Sequence, residues 1–447
     1  MSCHWIFYRN YSILHLGAGL PFSYLPYIDF GGVFFLSLFC SSCFSCCLVN
    51  PKDGRLRPAT IMTSEQQPPS PPTASQKRHA FSWFTDANYL SIGPSFVTNF
   101  IRNQLKTLPE PKSDFTGKTV IVTGGNSGLG REAARYFARL GAAKVILACR
   151  DTAKGEVARA DIEVSTRSSR PPSAAGVRLA VEVWQVDMSS GSSVRDFCAR
   201  VERELPRLDS LVLNAGVAIG AFVECEGGWE SSVAINVIGT FLMAVLCLPI
   251  MRRTAAQHNV APTIAVVASE AHVFASFAER KRQGLIFDAF KSAADMNEDR
   301  YNVTKLLDVL LARELAARLG PDSPVVVNAL NPGLCQSELF RHCPFPLSAL
   351  LRLGLMILGR KTEVGSRTLV AAAAAGRETH GKYMDSCELA NESAFVRSDE
   401  GRASGVRVFD ELMGIMEGLA PGARGNLNAS TTTSMATAPA STAQASS

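Results

Sequence analysis

An α/β fold built on a doubly wound parallel sheet, with helices on both faces, is predicted by three features of the sequence. They are a glycine-rich turn between an apolar run and a helix pattern, a series of further short apolar runs, and small or polar residues closing each run. The first feature is Thr119 to Gly130, TVIVTGGNSGLG, in which Val120, Ile121 and Val122 form the run that a strand buried on both faces requires. From Arg131 the chain reads REAARYFARLG. Ala133, Ala134, Phe137 and Ala138 share one helical face, Arg131, Glu132, Arg135 and Arg139 the other, and Gly141 supplies the stop. A strand, a tight turn and a helix N-terminus aim backbone N–H groups and a positive dipole end at one point, and glycines keep side chains clear of it. A pyrophosphate needs that arrangement. Gly124, Asn126, Ser127, Gly128, Leu129 and Gly130 are therefore candidate cofactor-binding residues.

At 447 residues the chain reads as one large α/β domain with extensions. The net charge of +5 comes from 45 basic and 40 acidic residues, without a basic run interleaved with aromatics, so nucleic acid is not an expected partner. Cys40, Cys43, Cys46 and Cys47 cluster near the N-terminus and those from Cys149 onward are scattered, which reads as reduced thiols rather than a disulfide framework. No His or acidic residue lies beside the cluster, and no metal site is expected there.

Phe30 to Val49 carries no charge and is long enough to cross a membrane as a helix, although Gly31 and several serines dilute it. Lys52, Arg55 and Arg57 follow, a flank that would keep the rest of the chain in the cytosol. The alternative is that Met62, opening MTSEQQPPSPPTAS, starts an unanchored cytoplasmic chain without residues 1–61. Both readings stay open. Thr63 to Gln76 is a Pro-, Ser- and Gln-rich linker expected to be disordered, and Ile92 to Leu105 has the spacing of an amphipathic helix, read first as a brace on the domain. The folded domain is placed at residues 115–420, and the Ala-, Ser- and Thr-rich stretch 421–447 is expected to be a disordered tail.

Ala143 to Cys149 is the second strand. At its end, where a carboxylate would hold a ribose 2′-hydroxyl, stand Cys149 and Arg150, and a guanidinium there favours the 2′-phosphate of NADP. Leu179 to Val186 runs into Asp187-Met188-Ser189, and Leu208 to Leu213 into Asn214-Ala215-Gly216. Thr263 to Ala268 ends in Ser269, and a sixth strand from Val325 runs into Asn331-Pro332-Gly333. Tyr301 and Lys305, four apart at the start of a Leu-rich helix pattern, share one face.

Taken in order, Thr123 to Gly130, Asn214-Ala215-Gly216, Ser269, Tyr301-Asn302-Val303-Thr304-Lys305 and Pro332-Gly333 resemble the short-chain dehydrogenase/reductase family over residues 115–415. ACRD at the second strand, SEAH around Ser269 and ALNPGLCQSELFR resemble its retinol-dehydrogenase-like branch, fungal members above all. The resemblance implies a Rossmann-type fold, NADP(H), and four catalytic residues: Tyr301, Lys305, Ser269 and Asn236, the last ordering a water beside Lys305. Asp187, Asn214, Ala215, Gly216, Pro332, Gly333 and Ser337 join the cofactor site, as do Tyr301 and Lys305 through the ribose. Leu213 replaces the usual first Asn of that strand end, and Ser337 stands where a Thr is common.

The chemistry also follows from residue type. Hydride transfer to a carbonyl leaves an oxyanion that needs a proton, and a phenol is a poor acid/base at pH 7 until a charge such as Lys305 stabilises its phenolate. Lys305 is therefore expected to lower the Tyr301 pKa, with Ser269 binding the substrate oxygen. The loop Ala271 to Arg300 and the segment Leu334 to Leu358 are expected to select the substrate, and the Leu, Ile and Met of the latter suit a lipophilic alcohol or carbonyl. The competing reading is a catalytically silent NADP(H)-binding scaffold. A hydrolase centred on Ser269, Glu270 and His272 lacks the Gly-x-Ser-x-Gly turn.

Overall fold

The computed structural model describes residues 94–336 and 358–428, with side chains from residue 98, and six short strands between residues 4 and 58. The chain divides into two compact units, Met1–Lys77 and Arg78–Ser447. In the first, His4–Tyr8 pairs antiparallel with Tyr11–His15, and Asp29–Phe30, Val33–Ser37, Cys46–Val49 and Leu56–Pro58 form an antiparallel sheet. The described parts of residues 30–49 are thus strands where the charge-free stretch suggested a membrane-crossing helix. Runs rich in Val and Phe, broken by glycine and serine, favour extended backbone. No single helix among the described residues is long and apolar enough to cross a membrane.

The second unit opens with α1 (Pro94–Leu105) and then builds an eight-stranded sheet. Its strands are β1 (Thr119–Thr123), β2 (Lys144–Cys149), β3 (Ala180–Gln185), β4 (Ser210–Leu213), β5 (Thr263–Val267), β6 (Val326–Asn331), β7 (Tyr383–Asp385) and β8 (Glu388–Ala390). Their order is β8-β7-β6-β5-β4-β1-β2-β3, and every pairing is parallel except that of β7 with β8. The chain winds outward from β1 to β3 and then returns to β4 on the other side of β1. A crevice opens at that switch, beyond the C-terminal ends of β1 and β4.

All residues of β1, β4, β5 and β6 are buried, so helices must cover both faces. Val120 and Val122 face α2 (Gly128–Arg139) and α8 (Thr362–Ala374), where Phe137, Leu369 and Val370 close one core. Phe137 meets Phe115 edge-on at 4.8 Å, and its truncation to alanine costs about 3 to 5 kcal/mol. Ile121 faces the opposite core, lined by α5 (Ser231–Leu246), α7 (Arg300–Leu319) and α9 (Asp399–Leu419). Three further helices, α3 (Thr152–Thr166), α4 (Gly191–Glu204) and α6 (Leu248–His258), add to the layers.

Order continues past Pro421, where composition placed the start of a disordered tail. Gly425–Asn428 forms a helical turn, Ala423 is buried, and Asn426 Nδ2 donates to Val245 O at 3.3 Å while Arg252 donates to the carbonyls of Asn426 and Leu427. These tertiary bonds hold a segment whose own composition would not. Residues 429–447, the linker at 63–76 and Ser337 lie outside the described residues.

Candidate active site

The glycine turn is packed tightly beneath and open above. A side chain at Gly130 would place its Cβ 2.5 Å from both Gly124 O and Asn214 Nδ2. Gly128, at φ +53°, begins α2 with open space where a Cβ would stand. Ser127 is the extended N-cap and makes no side-chain cap bond, so the first N–H groups of α2 remain available to an anion. Asn126 and Leu129 flank the turn. Thr123 Oγ1 accepts from the backbone N–H of Asn214 and of Ala215 at 2.9 Å each, and Asn214 Nδ2 donates back to Thr123 O at 2.9 Å. Asn214-Ala215-Gly216 is thereby fixed beside the turn, and an uncapped helix end over an open floor fits a dinucleotide pyrophosphate.

At the outer end of the crevice, Arg150 is exposed and lines a cleft of about 480 Å³ with Asp187 and Arg200 among its other walls. Asp151 is the N-cap of α3 and accepts from Lys154 N at 3.0 Å, so its carboxylate serves the helix. Cys149 is buried, and burial pushes its thiol up to about 11. Arg150 is thus the charged side chain that β2 delivers to this end. Asp187 Oδ1 accepts from the Ser189 amide and hydroxyl at 2.9 and 2.6 Å.

The inner end draws on β5, α5 and α7. Ser269 follows β5 as N-cap of a short 3₁₀ turn, Glu270–Val273, where its hydroxyl accepts from Ala271 N at 3.1 Å and lies near enough to Tyr301 of α7 to act on the phenol. Lys305 is 6% exposed, and Nζ donates to Val267 O at 2.8 Å and to Asp308 Oδ2 at 2.9 Å. A Cβ at Gly216 would lie 3.7 Å from Nζ, so the ammonium borders the strand-end loop of β4. Asn236 sits in a π-helical stretch of α5, Ala234–Gly239. Its amide accepts from Val217 N at 2.9 Å and donates to Val217 O and Thr304 Oγ1 at 3.0 Å each, tying the loop after Gly216 to α7.

Burial raises the Tyr301 phenol, the Lys305 charge and the Ser269 hydrogen bond draw it down, and Asp308 raises it again; the net direction is upward. Lys305 acts with the expected sign, but the surrounding protein outweighs it. Burial pulls the Lys305 ammonium down, yet Asp308 and Tyr301 lift it above its ordinary value, so it stays cationic.

A third group of polar side chains surrounds Asn331-Pro332-Gly333. Asn331 Oδ1 accepts from the amides of Glu270 and Gly333 at 3.2 and 3.0 Å, while Nδ2 donates to Glu270 Oε2 at 2.8 Å and Asp385 Oδ1 at 3.3 Å. Arg360 Nη1 donates to Pro332 O at 3.1 Å. Gln104 of α1 donates to Leu334 O and Leu358 O at 2.7 Å each and accepts from Leu334 N at 3.0 Å, so α1 braces this loop. His272 Nε2 accepts from Ser393 N at 3.0 Å, which leaves the ring proton on Nδ1 for Ser269 O at 2.7 Å. Burial holds this imidazole down at about 4. With His272 on a backbone carbonyl and Glu270 on Asn331, neither acts as a base for Ser269.

A family model of the short chain dehydrogenase matches residues 118–278. A short chain dehydrogenase/reductase of Cryptosporiopsis sp. is 41% identical over 334 residues, 73% of this chain and 99% of that protein. The chain belongs to the short-chain dehydrogenase/reductase family. A short chain dehydrogenase of Emericella nidulans is 43% identical over 65% of this chain and 90% of its own length. Among solved structures, a putative short chain dehydrogenase from Shigella flexneri complexed with NADP is 20% identical over 62% of this chain and 99% of its own, with a TM-score of 0.44.

In this short-chain dehydrogenase/reductase, an oxidoreductase by family, Tyr301, Ser269 and Lys305 form one cluster, with Asn236 beside Lys305 at Gly216. Sequence reasoning missed Asp308, Asp385, Arg360 and Gln104. Asp308 had a local signal, a carboxylate one helical turn beyond Lys305. The others sit 28 to 254 residues from the groups described above, and nothing near them in the sequence marks the contact.

Proposed function

We propose that this chain is an NADP(H)-dependent oxidoreductase that interconverts a carbonyl and an alcohol on a lipophilic substrate. The observation that carries the reading is the meeting of Tyr301, Ser269 and the buried Lys305 ammonium at the inner end of a crevice whose other end is an uncapped helix N-terminus. When bound, the nicotinamide supplies or takes up the hydride at the substrate carbon. The Tyr301 hydroxyl gives the proton that the resulting oxyanion needs, or removes it in the reverse direction. Ser269 donates a hydrogen bond to the same oxygen and fixes its position against Tyr301. Lys305 stabilises the phenolate left behind.

The first N–H groups of α2 hold the pyrophosphate, Asn214-Ala215-Gly216 and Pro332-Gly333 border the nicotinamide half, and Arg150 meets the 2′-phosphate. What supports a lipophilic substrate is the PFPLSALLRLGLMILGR sequence at residues 344–360. The test is NADPH oxidation by the full-length protein with a panel of lipophilic aldehydes and ketones. Turnover is expected with NADPH ahead of NADH, and binding of NADPH without turnover on any of them sinks the proposal.

A further inference from the structure

Tyr301, Lys305 and Asp308 lie at i, i+4 and i+7 on α7, one stripe of a single helix. Asp308 is 1% exposed and stands among Leu306, Leu307, Val309 and Leu310, all buried. One carboxylate oxygen takes the Lys305 proton at 2.9 Å; the other, Oδ1, is buried with no hydrogen-bond partner. Desolvating a carboxylate and leaving half of it unpaired is unfavourable, and an apolar residue of similar volume would continue the core at no such cost. Stability therefore does not explain an acid at this position. Its contact with Lys305 does.

We propose that Asp308 is a positioning residue of the reaction, holding the Lys305 ammonium on the floor of the site and drawing part of its charge away from Tyr301. The inference rests on the assignment of Tyr301 as acid/base. Lys305 has three protons, and Val267 O and Asp308 Oδ2 take two of them, leaving one for the side of the crevice where Gly216 lies. Lys305, Ser269 and Asp308 all act on Tyr301. Among the described residues the neighbouring elements meet the site with neutral groups: the Val267 carbonyl of β5, the Ser269 hydroxyl and, through Thr304, the Asn236 amide of α5. Glu270 and His272, on the 3₁₀ turn packed against α7, engage Asn331 and Ser393 instead. Burial pushes the Asp308 carboxyl up to about 6 despite Lys305, so at neutral and alkaline pH it is an anion that opposes loss of the Tyr301 proton.

The test is Asp308→Asn, which removes the charge and keeps the shape. Two readouts decide it on the full-length protein: the acid limb of kcat/KM in alcohol oxidation, and the phenolate absorbance titration of Tyr301, taken as the difference from Tyr301→Phe in each background. Both are expected to move to lower pH by about one unit, the size of effect a nearby charge exerts. Asp308→Glu, which restores the charge, should bring the limb back toward wild type. An unmoved limb and titration, or a loss of kcat equal at all pH values, overturns the proposal. If the wild type shows no turnover, the assigned function fails while the absorbance titration still decides the role of Asp308. If Asp308→Asn does not fold, Asp308→Ser gives the same readouts; failure of both to fold assigns Asp308 to folding and overturns the proposal.

Discussion

The cradle over β1 and α2 is made of backbone, whereas the reaction end under α7 is made of side chains drawn from separate stretches of chain. At the cradle, the proposed cofactor site depends on what is missing: a Cβ at Gly130, a cap on Ser127, a side chain over Gly128. At the reaction end it depends on what burial does to the charges present, because Tyr301, Lys305 and Asp308 share about two turns of helix with little water to screen Lys305 and Asp308. The first end tolerates no added atoms. The second tolerates changes of shape better than changes of charge or hydroxyl.

Four substitutions break or sharpen that contrast. Tyr301→Phe keeps the packing and removes the proton, so turnover should fall by about 10²- to 10⁴-fold while NADPH still binds, measured by steady-state kinetics and cofactor fluorescence; a fully active variant would refute the assigned role. Gly130→Val drives a Cβ into Gly124 O and Asn214 Nδ2, and should lower both cofactor affinity and stability, the latter by about 1 to 3 kcal/mol in denaturant titration. Equal affinity in that variant would remove the turn from the cofactor site. Arg150→Ala should weaken NADPH about tenfold more than NADH, the loss of one charge-assisted bond. Equal losses for the two coenzymes would detach Arg150 from the 2′-phosphate.

The smallest effect on activity concerns Glu270, whose carboxyl burial and then Asp385 push up to about 7 from 4.5. The native state binds this proton more tightly than the unfolded chain, so the contribution of Glu270 to stability is greatest below pH 4.5 and declines as pH rises toward 7. Glu270→Gln carries no such proton and should gain about 1 to 3 kcal/mol over wild type at pH 8, against little at pH 4, seen as a rise in Tm of a few degrees. A Tm difference independent of pH would show that Glu270 is not carrying an unfavourable charge.

Much of the fold was legible because its signals are local. The six parallel strands read from apolar runs match β1 to β6 within two residues at nearly every end, and α7 begins at Arg300 beside Tyr301. The β7–β8 hairpin was not legible. Its turn residues Ser386 and Cys387 both take positive φ, at 52° and 68°, without the glycine or asparagine that marks such a turn. The tertiary bonds that surround the hairpin, Asn331 and Arg360 among them, hold that backbone. Asp385 and Arg360 were hidden for the same reason, since their partners are set by chain packing and not by spacing.

Spacing alone marked a turn suited to a pyrophosphate and put Tyr301 and Lys305 on one helical face, because glycine position and helical period are properties of a few consecutive residues; Ser269 joined them only through family resemblance. The direction in which Tyr301 titrates was decided by the tertiary structure. So was the diversion of Lys305 toward Asp308 and Val267, and the removal of His272 and Glu270 from any part in proton transfer at Ser269. Desolvation and charge pairing depend on every segment packed around a group, and no window of sequence contains them all.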